Sequence, residues 1–240
     1  MRYDNRKPED LREVKFTREY IEHAEGSVLV EFGKTRLICT ATVGEGVPSW
    51  LKGSGRGWVT AEYDMLPRAT SRRNTRDVFK GQMSGRSMEI GRLIGRSLRA
   101  VTKLDKLGER TITVDCDVIS ADGGTRTAAI TGGFLALHDA LAWLGGGKDT
   151  GALPLDDHVA AVSVGYVHGE LLLDLCYRED VSADVDCTIV MTGKDKLIEV
   201  QATAEGRLYD RAMLEEILDL GSRGIDELIA LQKASLDEAE

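Results

Sequence analysis

Two arginines and one knot of carboxylates are the side chains in this chain best placed to do chemistry. Arg126 follows Gly123-Gly124-Thr125, where the strand-like run from Thr111 to Ser120 gives way to a nearly uncharged helix. Between Thr125 and Gly147 the only ionised side chains are Arg126 and Asp139, so that helix is expected to be buried almost all round. A cation at a helix N-terminus opposes the macrodipole. Arg126 fits there if an anion lies in front of it, with Gly123 and Gly124 letting backbone N–H groups reach the same anion. The competing reading pairs Arg126 with Asp117 or Asp122 in a tight turn, and spacing alone leaves both open. Arg86 stands at a second helix mouth, in Ser84-Gly-Arg-Ser87.

The carboxylates fall in Arg178-Glu-Asp-Val-Ser-Ala-Asp-Val-Asp186. Asp184 and Asp186 should share one face of a strand, because side chains alternate, and Asp180 is expected in the preceding loop. Like charges this close repel unless a cation lies between them. An oxygen-rich set of this kind suits Mg²⁺, with water and a substrate phosphate completing the shell. The alternative is a hairpin corner whose acids cap turns and bind arginines.

Charge is unevenly spread. The chain has 240 residues and a formal net charge of −9. From Lys52 to Arg110 there are 14 Lys/Arg against 6 Asp/Glu, a local balance of +8, whereas the remainder balances at −17. Such asymmetry points to a polyanionic ligand handled at one place. Within it, residues 67–85 form a long polar segment carrying Arg68, Arg72, Arg73, Arg76 and Lys80. Loops this long inside compact domains tend to be functional, and planar guanidinium groups suit phosphate contacts. Phe79 could stack on a base, but an anchor to the core is the favoured reading.

The elements that must position these groups can be read from periodicity. Residues 14–43 alternate between two turn signals and predict strands Val14–Ala24, Ser27–Phe32 and Thr35–Val43. Gly33-Lys34-Thr35 is not a phosphate loop, since that motif needs glycine where Val28 stands. Trp58–Leu66 predicts another strand. A helix is expected from about Ser84 to Leu104, with Ile90, Ile94, Leu98 and Val101 inside and Arg92, Arg96, Arg99 and Lys103 on a solvated or ion-paired stripe. After the glycine-rich run 145–151, Val159–His168 and Leu171–Tyr177 predict one hairpin across His168-Gly169, and Asp184–Thr192 with Leu197–Thr203 a second. Asp210–Leu231 predicts a long amphipathic helix followed by a frayed acidic tail. Both halves read strands first, then helix, without a repeated motif.

Composition bounds the class. Apolar content of 42% and charged content of 30% are those of a soluble globular protein. No apolar run stands out as a membrane span, and the polar N-terminus lacks a signal core, so a cytoplasmic location is expected. Cys39, Cys116, Cys176 and Cys187 form no CxxC pair and read as reduced core thiols. The four histidines share no metal-ligand spacing.

Five stretches together resemble the ribonuclease PH family of bacterial phosphorolytic 3′→5′ exoribonucleases: Leu37–Val43, Gly57–Thr70, Arg92–Ala100, Asp115–Thr127 and Val185–Gly193. The resemblance covers essentially the whole chain. It implies an α+β fold of mixed sheets with flanking helices, built as two βαβα-like units about a pseudo-twofold. It implies a single ribonuclease PH-like domain over 1–240, with halves of about 1–147 and 148–240. The implied enzyme is a tRNA nucleotidyltransferase: inorganic phosphate attacks the terminal diester of tRNA precursors and rRNA and releases nucleoside 5′-diphosphates, and the reverse reaction extends RNA. The family's phosphate site falls on Arg86, Gly124, Thr125 and Arg126. Its acidic pair falls on Asp180 and Asp186, with Mg²⁺ as the expected ion, and either acid could instead serve as general acid. RNA is gripped by Arg68, Arg72, Arg73 and Arg76, and members assemble as homohexamers, trimers of dimers. Three residues depart from the family pattern: Asn5, Gly91 and Gly133, where Gly, Gln and Ala are usual. A metal-dependent hydrolytic exoribonuclease, releasing monophosphates without phosphate, and an inactive RNA-threading ring subunit are the alternatives.

Overall fold

The computed structural model describes residues 2–76, 79, 81–82, 84–146 and 153–238. Lys80 and most of the glycine-rich run at the junction of the halves lie outside the described residues. The first sheet is formed by β1 (Val14–Arg18), β2 (Gly26–Phe32), β3 (Thr35–Glu45), β4 (Trp58–Met65) and β5 (Arg110–Ser120), in the order β1-β2-β3-β5-β4. All pairings are antiparallel except β4 with β5. That parallel pair needs a crossover, which α1 (Gly85–Ala100) supplies. The second sheet contains β6 (Val159–Val167), β7 (Glu170–Leu173), β8 (Ala183–Thr192) and β9 (Leu197–Ala204), in the fully antiparallel order β7-β6-β8-β9. The remaining helices are α2 (Thr125–Leu144), α3 (Tyr177–Val181) and α4 (Arg211–Asp237). This is the mixed-sheet architecture with flanking helices expected above.

α2 is the hinge-pin of the core. Its 18-residue apolar window has a mean hydropathy of 1.2, long and apolar enough for a membrane span, but 72% of that window is buried within the protein. The first sheet covers one side: a Cβ on Gly132 would stand 2.1 Å from Val30 Cγ2, so only glycine permits that approach. The second sheet and α4 cover the other. Thr131 Oγ1 accepts from the Ala161 N–H at 3.1 Å, and the buried Gln232 amide donates to the Thr131 and Val159 carbonyls at 2.9 and 3.0 Å. One hydrophobic cluster therefore runs through both sheets, from Val30 and Val114 through Ile130 and Phe134 to Val162 and Ile225. Full burial of each such side chain contributes about 1.5–3 kcal/mol.

Several boundaries differ from the periodicity reading, each for a tertiary reason. β1 stops at Arg18, whose guanidinium turns to Asp139 on α2 (2.6 Å) and the Ser235 carbonyl on α4 (2.9 Å). β7 stops at Leu173, because Asp174 adopts a φ of +52° and turns inward, and the chain then coils into α3. Asp180 accordingly lies on a helical turn rather than in a loop. α1 ends at Ala100, short of Leu104, with Ile90, Ile94 and Leu98 buried as expected. α4 continues six residues beyond Leu231, through to Asp237. His168 and Gly169 both take positive φ, +50° and +92°, as a tight hairpin turn requires. Asn5 also takes a positive φ, +64°. Asparagine tolerates that region, so it stands in for the usual glycine there. All four cysteines are buried free thiols.

Candidate active site

The α2 mouth is built to leave donors free. Gly124 caps the helix in the left-handed conformation (φ +64°, ψ 26°) and offers no side chain to the first turn. The opening N–H groups of the helix therefore keep their capacity to bind an anion. Arg126 projects beside them with 22% of its side chain exposed. It pairs with neither Asp117 nor Asp122. Its Nη1 donates to Gln201 Oε1 on β9 at 2.8 Å and lies 3.9 Å from Glu89 on α1. Asp122 instead accepts weakly from the Tyr177 N–H (3.4 Å), and the charge of Arg76 acts on Asp117.

A buried ionic frame fixes the glycine turn from behind. Arg12 grips Asp174 through Nε and Nη2, at 2.9 and 2.7 Å, and donates from Nη1 to the Asp122 carbonyl at 2.7 Å. Thr35 Oγ1 accepts from the Asp122 N–H (2.9 Å) and donates to the Gly123 carbonyl (2.7 Å). Burial opposes charge on the fully buried Asp174, but the adjacent Arg12 prevails and holds its carboxyl below the usual aspartate value. Gly123 is wedged against the chain entering α3. A Cβ there would meet the Leu175 carbonyl oxygen at 2.5 Å and the Tyr177 nitrogen at 2.8 Å. The glycine turn and the helix bearing Asp180 are thus locked in register.

α3 is too short to be stable alone and is pinned from the N-terminus. Arg2 and Glu179, each 2% exposed, form an ion pair at 2.8 Å, and Glu179 also accepts from the Cys176 N–H at 3.0 Å. Asp180 then faces the same space as Asp186 on β8. Burial raises the pKa of both carboxyls. Asp186 is pushed up to about 6, first by burial and then by the charge of Asp180, with Arg126 acting in the opposite direction. Glu205 raises both further.

The pieces meet in one cavity of about 390 Å³, into which Arg86, Gly124, Thr125, Arg126, Asp180 and Asp186 all open. Anion donors and a charge-strained carboxylate pair therefore face each other across a space the size of a small ligand. Asp184, on the same strand, does not line it. Arg68, Arg72, Arg73 and Arg76 do not line it either and stay exposed on their loop. Phe79 is 77% exposed and so does not anchor the loop to the core. The loop is tethered instead through buried Ala69, whose carbonyl accepts from the Ala121 N–H at 2.9 Å. The sequence reading missed Arg2, Arg12, Thr35, Asp174, Glu179 and Gln201. The one available signal was Asp174 itself, a lone acid in the apolar run Leu171–Leu175 that must find a cation if buried.

The donor chemistry fits a hard divalent cation. Two partly buried carboxylates, both raised by burial and Asp186 further by the charge of Asp180, are relieved by a positive ion, and Mg²⁺ commonly takes one or two protein carboxylates with water and substrate oxygens. Among the described residues no group of three or more His, Cys, Asp or Glu is placed to hold a metal. The rest of the shell would thus come from water and ligand.

Residues 10–142 match the 3′ exoribonuclease family, domain 1, and residues 157–224 match domain 2 of that family. The chain is 56% identical over 236 residues to Ribonuclease PH of Frankia casuarinae, covering 98% of this chain and 94% of that protein. Rice (Oryza sativa) Rrp46 shares the fold with a TM-score of 0.79 at 19% identity, over 98% of this chain and 100% of that one. The Archaeoglobus fulgidus exosome with RNA bound to the active site gives a TM-score of 0.79 at 24% identity, over 95% and 91%.

Proposed function

Since the chain belongs to the 3′ exoribonuclease family of ribonuclease PH, we propose that it is a phosphorolytic 3′→5′ exoribonuclease, a tRNA nucleotidyltransferase that trims the 3′ ends of tRNA precursors. The observation that carries this reading is the sharing of one cavity by Arg86, Thr125 and Arg126 with Asp180 and Asp186. Inorganic phosphate docks on the two guanidinium groups, the Thr125 hydroxyl and the free N–H groups after Gly124. Two positive charges let a dianionic nucleophile approach an anionic diester that would otherwise repel it. A phosphate oxygen attacks the last phosphorus, the bond to the 3′ oxygen breaks, and a nucleoside 5′-diphosphate leaves whose β-phosphate is the former orthophosphate. The 3′ oxygen takes up a proton to become the new RNA end.

Asp180 and Asp186 would hold Mg²⁺. When bound, that ion neutralises charge developing on the scissile phosphate and the departing oxygen. The work left to the protein is positioning, because both reactants arrive charged and fully formed. The exposed arginines Arg68, Arg72, Arg73 and Arg76 grip RNA away from the reacting bond. In a cytoplasmic homohexamer, a trimer of dimers, they would also reach a neighbour's substrate. rRNA ends are a second target of the same chemistry.

The test is product identification on a short RNA with increasing phosphate. Diphosphates should appear in proportion to phosphate consumed, and Arg126→Ala should abolish that product while circular dichroism stays unchanged. Monophosphates released without phosphate would assign a hydrolase instead.

A further inference from the structure

We propose that Tyr63 is a positioning residue for the phosphate nucleophile: its hydroxyl donates to Thr125 Oγ1 and so turns the threonine's own proton toward the cavity. The inference rests on the phosphate site assigned above. Tyr63 lies on β4 with its side chain 1% exposed, and its hydroxyl stands 2.8 Å from Thr125 Oγ1. The charges of Arg86 and Arg126, which line the cavity together with Thr125, both act on it.

A threonine hydroxyl has one proton and two lone pairs. Left to rotate, it presents a lone pair to an anion as readily as a proton, and the lone pair repels. Thr125 opens α2, and the Tyr63 hydroxyl is the one hydrogen-bond partner found for its Oγ1 among the described residues. With a lone pair engaged by Tyr63, the Thr125 proton is free to face the ligand. Burial keeps the phenol protonated, so it remains a donor at neutral pH. A phenylalanine ring would fill the same space, so the hydroxyl is dispensable for packing and its role lies in this one bond. The cavity then presents only donors on its phosphate side, oriented before the anion arrives.

Tyr63→Phe is the direct test. The KM for phosphate should rise on the order of three- to tenfold, the scale of one neutral hydrogen bond. In the reverse reaction the KM for nucleoside diphosphate should rise by the same factor, because its β-phosphate uses the same donors. The KM for RNA should not move. In a double-mutant cycle, Tyr63→Phe should add nothing once Thr125→Val has removed the acceptor. In a Thr125→Ser background, which keeps the hydroxyl, Tyr63→Phe should still raise the phosphate KM. An unchanged phosphate KM, a parallel rise in RNA KM, or additivity in the cycle overturns the inference. Should Tyr63→Phe not accumulate, Thr125→Val binding phosphate as well as Thr125→Ser overturns it alone. A wild-type enzyme that consumes no phosphate overturns the phosphorolytic reading instead.

Discussion

At the residue scale, burial and a neighbouring charge set the Asp186 carboxylate against the fold. Its carboxyl is pushed from 3.8 to about 6, chiefly by burial and then by Asp180. A folded-state pKa above the unfolded one means the native form holds the proton more tightly. That contribution is complete below the unfolded value and is lost as pH rises through about 6. At neutral pH the ionised side chain therefore works against the fold. Asp186→Asn is expected to gain on the order of 1–2 kcal/mol at pH 7 and almost nothing at pH 4, as read by urea denaturation. The same variant should lose phosphorolysis while largely keeping RNA binding. A second consequence concerns the ion. At limiting Mg²⁺ the proton on Asp186 competes with the cation, so the wild-type rate should climb as pH rises through about 6. A rate that falls over that range would mean that neutral Asp186 acts as the proton donor.

At the scale of the element, two neighbouring glycines on α2 should respond in opposite ways to the same change. A Cβ on Gly132 would sit 2.1 Å from Val30 Cγ2, inside the β2 surface. A Cβ on Gly133 would lie 3.4 Å from Val114 Cγ1, at ordinary van der Waals distance. Gly132→Ala is expected to cost roughly 1–3 kcal/mol through overpacking. Gly133→Ala, the usual family residue, should add about 0.5–1 kcal/mol by removing glycine's unfolded-state freedom. Thermal unfolding of the two variants side by side gives the answer, and a shared sign would refute the packing argument. Arg12 makes the complementary case between elements. It ties the segment before β1 to Asp174 after β7 and to the Asp122 carbonyl before α2. Arg12→Met strands a buried carboxylate and should cost roughly 3–5 kcal/mol. Phosphate affinity should fall with it, since the same guanidinium fixes the glycine turn before α2.

Across the whole molecule, the exposed basic loop stands apart from the cavity that gathers Arg86, Arg126, Asp180 and Asp186. The net charge of −9 conceals the basic stretch that carries the exposed arginine loop. Since none of its arginines opens into the cavity, binding and chemistry should separate. Replacing Arg72 and Arg73 with alanine should weaken RNA binding alike for all sequences. The slope of log affinity against log salt should become shallower by about 0.7 for each RNA phosphate the protein no longer neutralises. Anisotropy titrations at several salt concentrations measure that slope. The phosphate KM should stay constant, and a change in it would move these arginines into the nucleophile's site.

Local pattern was enough to reveal much of this protein. Alternation marked most strands, the near absence of charge marked α2 as a core helix, and the paired glycines before Thr125-Arg126 marked a turn into a helix start. These follow from neighbours a few residues apart, whose geometry the backbone dictates. Sequence could not show that Asp180 rides a helical turn, that Phe79 faces outward, or that Arg126 leans on Gln201 rather than on Asp117 or Asp122. Nor could it find the frame of Arg2, Arg12, Asp174 and Glu179, whose partners lie more than 160 residues apart. Such pairings arise only when two sheets close over a shared helix, because the cost of burying each charge is met by a partner that chain proximity does not supply.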